Sequence, residues 1–242
     1  MSAPAHIDST LDSTAVAETE AAAGAETAVT AGTVDQICVV HALKPDRGIG
    51  VTAIDKRAVE GSVKVTKVGI YADVQADRVH HGGFDQAIYA YSSDEAGRWA
   101  SELGREIPAG FFGENLRVSG LPTTDAIVGE RWRIGRDVVV EVTMPRTPCS
   151  TFARHMDEQA WVSRFTDRGD VGCYLKVVRV GKIRAGDSIE LISTPGHGVS
   201  VREVFTGPTA EQAQAMLADQ AAGGNLLPEK ITRKIEQLGL TS

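Results

Sequence analysis

The feature of this sequence that most restricts its fold is a long series of short, strand-like segments separated by glycine, proline and aspartate. The series starts with VDQICVVHAL at Val34 and extends to Ile192. Short strands at this spacing are typical of a closed or sandwiched β structure. The pattern therefore predicts a mainly β protein with helices, an α+β fold. The further strand predictions cover 53–54, 62–68, 87–90, 115–118, 131–134, 138–144, 172–180 and 188–192.

Helical patterns interrupt and follow this series. Ser93–Leu103 opens with helix-capping residues, and 157–168 carries two aromatic residues at helical spacing. After TPGHG at 194–198, Ser200 and Glu203 have the spacing of a capping box. Because short helices bury little surface alone, we expect the last ones to pack on the barrel or on a partner. These C-terminal helices are predicted at 200–205, 209–222 and 228–238.

The first 33 residues differ in composition from the rest of the chain. They are rich in Ala, Thr, Ser and Glu and contain no Lys or Arg. Without a core pattern we predict a disordered tail, and without a basic start and an apolar centre it is not a secretory signal. We therefore predict a tail at 1–33, a barrel domain at 34–195 and a helical domain at 196–242. Deleting the tail should change neither stability nor activity.

Charge and composition exclude several classes of function. The tail carries five of the 32 acidic residues, which leaves 27 acidic against 25 basic residues in the remainder. A near-neutral body argues against a nucleic-acid partner. The apolar runs are far shorter than the roughly 20 residues of a transmembrane helix, so we expect no membrane partner. The three cysteines fit neither a zinc motif nor a disulfide framework, which favours a cytoplasmic protein.

The segment MPRTPCSTF contains the sharpest chemical signal. Cys149 follows two prolines and Arg146 directly after a predicted strand. The prolines hold the backbone extended, and Arg146 would favour a thiolate nearby. A thiolate is a good soft-metal ligand and a good sulfur acceptor, whereas a lone cysteine is more often a buried structural residue. For Cys38 and Cys173 the structural interpretation is the preferred one.

The segment QADRVHHGGFDQAIYAY places titratable side chains beside a glycine pair. Arg78, His80 and His81 precede glycines whose backbone can approach a ligand closely. The alternative is a hairpin turn capped by the histidines, and the residues alone favour that alternative.

Two further loops offer polar side chains. IDKRAVEG carries Lys56 and Arg57, which either remain solvated or hold a phosphate. FGENL carries Asn115, which by itself is more readily explained as a residue that ties a turn together.

In combination, these segments resemble those of the MOSC proteins, specifically the YiiM-like branch. The matching segments span about Gly48 to Leu240 in the order expected of the family: AIDKRAV, ADRVHHGGFDQAIYAY, FGENL, VGERWRIG, EVTMPRTPC, GCYLKVVRVGKIRAGDSIEL and VSVREVFTG. The resemblance implies a closed MOSC-type β-barrel with a small C-terminal three-helix domain. It also implies an oxidoreductase that binds the molybdenum cofactor, molybdopterin, and reduces N-hydroxylated compounds such as hydroxylaminopurines.

The resemblance also implies a set of site residues. Cys149 would be the protein ligand of the metal. Either His80 or His81 would supply the proton for the departing water, because histidine titrates near neutral pH. The cofactor phosphate would be held by Lys56, Arg57, Arg78, Asn115 and Arg146.

The sequence and its resemblance to the MOSC proteins also give expectations about cofactors and partners. The chain has no flavin, haem or iron–sulfur signature, so the electrons would come from a separate flavin or iron–sulfur protein. It is too short for the pyridoxal phosphate domain of fused sulfurases, so pyridoxal phosphate is not expected.

The alternative function is a sulfur carrier or cofactor-delivery module that uses a Cys149 persulfide or thiolate. A third is a partner-binding barrel without cofactor. The oligomeric state is left open, with a homodimer as one option.

Overall fold

The computed structural model of the chain describes residues 29–74 and 82–240. Its strands are β1 (Val29–Asp46), β2 (Gly50–Ala58), β3 (Val63–Thr66), β4 (Gly69–Ile70), β5 (Ile88–Ser92), β6 (Leu116–Ser119), β7 (Arg131–Ile134), β8 (Val138–Pro145), β9 (Cys173–Arg179), β10 (Gly181–Ile183) and β11 (Ser188–Ser193). Its α-helices are α1 (Ser93–Leu103), α2 (Ser150–Met156), α3 (Trp161–Arg168), α4 (Val201–Thr206), α5 (Ala210–Ala221) and α6 (Glu229–Glu236), and a short 3-10 helix covers Phe84–Gln86.

A closed barrel of seven strands forms the centre of the fold. The strands follow the order β11-β7-β8-β9-β5-β6-β1, and β1 pairs back with β11 to close the ring. Strands β5 and β6 run parallel, whereas the other neighbours in the ring run antiparallel. Closure leaves no open edge among these seven strands, which removes the main route to edge-to-edge association. The closed barrel and the α+β class predicted from the sequence are confirmed.

The second half of β1 leaves the barrel and pairs with β2 in a hairpin. The pairing runs from Cys38 opposite Ala58 to Asp46 opposite Gly50. The tip of the hairpin is tied to α2, because Arg154 donates from Nε to Asp46 Oδ2 at 2.9 Å and from Nη2 to Oδ1 at 2.7 Å. This ion pair holds the hairpin beside α2.

A second hydrophobic layer lies between the barrel and helices α1 to α3. The Trp99 and Trp161 ring centres lie 4.5 Å apart, and Trp161 packs edge-on against Phe152 at 5.4 Å. These three side chains are buried together with Phe112 and Phe165. Because such close packing leaves little room for movement, the cluster fixes α2 and α3 against the barrel wall.

The C-terminal helices pack on the barrel, as expected. Val201 and Val204 of α4 are buried. Asn225, between α5 and α6, accepts from Arg131 Nη2 at 2.7 Å and donates to the Gly129 carbonyl at 2.7 Å. The predicted capping box at Ser200 is present, so a local sequence signal set the start of α4 correctly.

The structure differs from the sequence prediction at the beginning of the barrel. Strand β1 begins at Val29, and its first residues pair with β11, so 29–33 belong to the barrel and not to a tail. Gly32 shows why the composition misled: a Cβ there would lie 2.5 Å from the Ser119 carbonyl oxygen, so the barrel needs glycine at this point. Residues 1–28 of the predicted tail lie outside the described residues.

Helix α2 was not predicted, and the helix predicted over 157–168 begins only at Trp161. Helix α2 has just seven residues, and its N-cap residue Cys149 makes no side-chain capping bond. A helix of two turns without a capping signal leaves too little pattern to detect. The short strands β4 and β10 escaped prediction for a similar reason, since they contain two and three residues.

Candidate functional site

An open cavity lies where the hairpin, the barrel wall and the start of α2 meet. Its volume is about 140 Å³. Four of the residues singled out from the sequence line it, although they come from three separate segments of the chain: Lys56, Asn115, Arg146 and Cys149. The fold therefore brings these four predicted site residues to one place.

Cys149 sits at the junction between β8 and α2. Its backbone is extended, with φ −131° and ψ 170°, and the side chain is partly exposed at the cavity. All three cysteines lie in the described part of the chain, and none forms a disulfide. Cys38 and Cys173 are fully buried, and burial raises the pKa of Cys38 to about 12 and that of Cys173 well above its usual value. The accessible thiol of this chain is therefore that of Cys149.

Arg146 contributes a buried positive charge to the cavity wall. Only 7% of the residue is exposed, and its Nη1 donates to the Phe112 carbonyl at 2.8 Å. The guanidinium carbon lies 5.2 Å from the ring centre of Tyr89. Among residues 29–74 and 82–240, no carboxylate pairs with Arg146. Because a buried charge is costly without a counter-charge, this wall of the cavity is suited to an anionic group.

Lys56 differs from Arg146, because its charge is compensated within the protein. Its Nζ lies 2.7 Å from Asp73 Oδ2, and both side chains are largely buried. Asp73 Oδ1 accepts from the Val40 backbone N–H at 2.9 Å. Lys56 and Asp73 together add no net charge to the cavity, so their contribution is to hold its wall in shape.

Asn115 connects three parts of the wall through both ends of its amide. Its Nδ2 donates to Asp73 Oδ2 at 2.8 Å and to the Cys38 carbonyl at 3.2 Å, and its Oδ1 accepts from the Tyr89 N–H at 3.1 Å. The side chain thereby ties β5 and β1 to Asp73. The sequence favours a residue that ties its own turn together, whereas these contacts show Asn115 joining segments that are far apart in the chain.

The segment GFFGEN forms the remaining wall and depends on a buried carboxylate. Glu114 is fully buried, accepts from the Gly110 and Phe112 N–H groups at 2.9 and 3.0 Å, and pairs with Arg117. Gly110 has φ +87°, and a Cβ there would lie 2.5 Å from the Lys56 carbonyl oxygen. The loop can therefore lie directly against β2, and it presents the Phe112 carbonyl to Arg146.

The remaining predicted site residues have different outcomes. The Arg57 side chain is 63% exposed, lies 3.7 Å from Asp55, and is not part of the cavity lining. The structure thus does not bring Arg57 to Cys149, because its neighbour Lys56 occupies the inward-facing position of β2. Arg78, His80 and His81 lie outside the described residues, and their roles stay predictions. Val74 and Gly82 both line the cavity.

Several cavity residues escaped sequence reasoning. Asp73, Gln86, Tyr89 and Tyr174 all line the cavity. Gln86 Oε1 accepts from the Gly82 N–H and from Lys230 Nζ, each at 3.1 Å, which connects α6 to the cavity wall. A local pattern could not reveal the contact between Gln86 and Lys230, because these residues lie far apart in the chain.

Among the described residues, no group of three or more His, Cys, Asp or Glu side chains is arranged to hold a metal ion. No helix in that part of the chain has the length and apolar character needed to cross a membrane.

The chain is similar to known proteins in both sequence and structure. The model of the MOSC domain matches residues 77–190. The Bacillus subtilis protein YflK is 33% identical over 151 residues, which cover 62% of this chain and 68% of YflK. A Gibberella moniliformis protein named "Reductase" is 29% identical over 147 residues, which cover 60% of this chain but only 26% of that protein. The crystal structure of YiiM from Geobacillus stearothermophilus superposes with a TM-score of 0.68 at 25% identity, and the match covers 85% of this chain and 98% of that one.

Proposed function

This chain belongs to the MOSC domain family, and we propose that it binds a molybdenum cofactor through Cys149 and reduces N-hydroxylated compounds such as hydroxylaminopurines. One observation carries the proposal: the accessible thiol of Cys149 shares a cavity with the buried charge of Arg146, which no carboxylate of the described ranges 29–74 and 82–240 compensates. The Gibberella relative named a reductase supports the oxidoreductase class.

The donor set of the cavity fits such a cofactor. A cysteine thiolate is a soft ligand suited to molybdenum, and a guanidinium binds phosphate through charge-assisted hydrogen bonds. When bound, the cofactor would supply the two-electron redox chemistry that no side chain of this chain provides. The overall reaction converts R–NHOH, two electrons and two protons into R–NH₂ and water. A separate flavin or iron–sulfur protein would deliver the electrons.

The residues of the chain would bind and orient these groups. Cys149 would hold the metal, and Arg146 would bind the anionic part of the cofactor. Lys56 and Asn115 would keep the wall in place through Asp73. Beyond the described residues, Arg78 would add a phosphate contact, and His80 or His81 would supply a proton to the oxygen that leaves as water.

A second function uses the same thiol. As a sulfur carrier or cofactor-delivery module, the chain would carry a persulfide on Cys149 or hold the cofactor for another enzyme. The contrast between one accessible and two fully buried cysteines favours this role as well. The two functions differ in what is bound after purification and in whether a small substrate is turned over.

The deciding experiment measures metal, sulfur and turnover on the same preparation. The full chain is purified from molybdenum-replete cells, its molybdenum is quantified, its intact mass is measured, and hydroxylamine reduction is assayed with a chemical reductant. We expect near-stoichiometric molybdenum and turnover in the wild type and loss of both in Cys149→Ser at an unchanged melting temperature.

The control variant is Cys38→Ser, which should lower the melting temperature, because it places a hydroxyl at a fully buried position. A mass gain of one sulfur atom on Cys149 without molybdenum would favour the carrier function. Retention of molybdenum and turnover by Cys149→Ser would disprove the assignment of Cys149.

A further inference from the structure

Two tyrosines form a direct cross-strand pair on the cavity wall. Tyr89 of β5 and Tyr174 of β9 are register partners, and their ring centres lie 5.2 Å apart. Both side chains line the cavity with Cys149. The two rings are thus held in similar surroundings, and their hydroxyl groups can be compared directly.

The hydroxyl groups of this pair have different partners. Tyr89 is buried, and its hydroxyl donates to the Val171 carbonyl at 2.8 Å. Tyr174 is only partly buried, and its hydroxyl donates to no acceptor among residues 29–74 and 82–240. Polar groups inside proteins nearly always have a hydrogen-bond partner. The hydroxyl of Tyr174 is therefore available to a ligand in the cavity, whereas that of Tyr89 is used by the fold.

The surroundings of Tyr174 keep it in the form that can donate. Burial raises the pKa of its phenol above the usual value, the nearby charge of Arg146 lowers it, and Cys149 raises it. The phenol therefore remains protonated at neutral pH. Tyr174, Cys149 and Arg146 all line the same cavity, so one ligand there can contact all three.

We propose that the Tyr174 hydroxyl donates a hydrogen bond to an oxygen atom of the group bound between Cys149 and Arg146. Arg146 supplies charge, and Tyr174 adds a directional donor, so the cavity selects ligands with an oxygen acceptor at this point. In an oxyanion that acceptor is a phosphate-type oxygen. For the substrate, the acceptor is the oxygen of the N-hydroxy group that leaves as water. Only this substrate contact rests on the function proposed above.

The test in the absence of metal uses the reactivity of Cys149. Iodoacetamide modification of the full chain is followed by mass spectrometry, and inorganic phosphate is titrated as the competing oxyanion. Because Cys38 and Cys173 are fully buried, modification of the folded chain reports on Cys149. Phosphate should protect the wild type, and Tyr174→Phe should raise the half-protecting concentration roughly tenfold, as expected for losing a hydrogen bond to a charged acceptor.

Tyr91→Phe provides the matched control. The Tyr91 hydroxyl is buried and donates to the Asp170 carbonyl at 2.8 Å, and Tyr91 does not line the cavity. This variant should lower the melting temperature and leave phosphate protection unchanged. Tyr174→Phe should instead weaken phosphate protection and leave the melting temperature unchanged. Failure of phosphate to protect the wild type, or equal half-protecting concentrations in the wild type and Tyr174→Phe, would overturn the proposal.

A second measurement uses molybdenum-loaded protein and hydroxylamine. Tyr174→Phe should lower kcat/KM roughly tenfold while its molybdenum content equals that of the wild type. If the wild type holds no molybdenum, the proposed function fails, and phosphate protection still decides the role of Tyr174. If the loaded wild type turns over and Tyr174→Phe matches it in kcat/KM, the proposed function stands and the N-hydroxy contact is wrong.

Discussion

The guanidinium carbon of Arg146 lies 3.6 Å from the ring centre of Phe152, so the charged group on the cavity wall stacks on an aromatic ring in the first turn of α2. Phe152 is itself fixed in the aromatic cluster with Trp161 and Phe165. Arg146 and Cys149 are thus held relative to each other by packing as well as by the short link between them. Desolvated contacts of this kind contribute about 2 kcal/mol.

Arg146→Lys should weaken phosphate protection of Cys149 roughly tenfold, although the charge is kept. An ammonium group neither stacks on Phe152 nor presents the planar fork that matches an oxyanion. The melting temperature should fall as well, because the contact to the Phe112 carbonyl is lost. Iodoacetamide protection and thermal unfolding check both effects.

Arg57→Lys is the matched control for this prediction. Its side chain is exposed beside Asp55 and does not line the cavity, so neither phosphate protection nor the melting temperature should change. If Arg57→Lys weakened protection more than Arg146→Lys, the sequence expectation of Arg57 as an anion contact would be correct and the present view of the cavity wrong.

Asp73→Asn should destabilise the protein by about 3 kcal/mol, the usual cost of breaking a buried ion pair. The change leaves Lys56 without its counter-charge and weakens the contacts to Asn115 and the Val40 N–H. Denaturant unfolding measures the loss. Asp137→Asn removes a carboxylate from an exposed pair with Arg136 and should cost almost nothing. Equal effects of both substitutions would mean that the Lys56–Asp73 pair does not stabilise the cavity wall.

The fold could be predicted largely because its signals are local. Capping residues placed α1 at the same bounds as the structure, and Ser200 placed the start of α4 within one residue. The predicted boundary of the tail at residue 33 was wrong, because the small residues near Gly32 resemble a tail in composition. In the barrel, the close approach of neighbouring strands requires a small residue there. Composition reports what a segment can bury, and it does not report which backbone it pairs with.

The candidate site could be predicted only in part, for a related reason. Arg146 and Cys149 stand in one short motif, which the sequence displays directly. Asp73 reaches Lys56 across 17 positions. Tyr174 meets Tyr89 only through the pairing of β9 with β5. Contacts of this kind depend on strand register, which no local pattern specifies.

Two truncations should distinguish the stability contribution of residues 1–28 from that of the first barrel residues, 29–33. Removing residues 1–28 should leave the melting temperature unchanged, since they show no core pattern. Removing residues 1–33 should lower it markedly, because the pairs from Val29 with Leu191 to Thr33 with Ser188 close the barrel. Thermal unfolding of both proteins measures the difference. Equal melting temperatures would show that the barrel does not need this closing contact.

The ion pair between Asp46 and Arg154 should control access to Cys149. Hydrogen bonds from Arg154 lower the pKa of Asp46 to about 2. The pKa of Asp46 in the folded protein thus lies below the usual aspartate value of about 3.9. The stability that the pair contributes is therefore fully present above about pH 3.9 and is lost as the pH falls toward 2. At neutral pH only substitution can break the pair. Ile49, three residues beyond Asp46 at the hairpin tip, lines the cavity, so releasing the tip opens one wall.

Asp46→Asn and Arg154→Gln should therefore each raise the iodoacetamide reaction rate of Cys149 several-fold at pH 7, and the double variant should react no faster than either single one. Non-additivity is expected because both substitutions break the same contact. Asp137→Asn, at an exposed pair distant in sequence from the hairpin, should react at the wild-type rate. Additive effects in the double variant would show that the two residues act on Cys149 separately. An unchanged rate in both single variants would show that the hairpin tip stays in place without the ion pair.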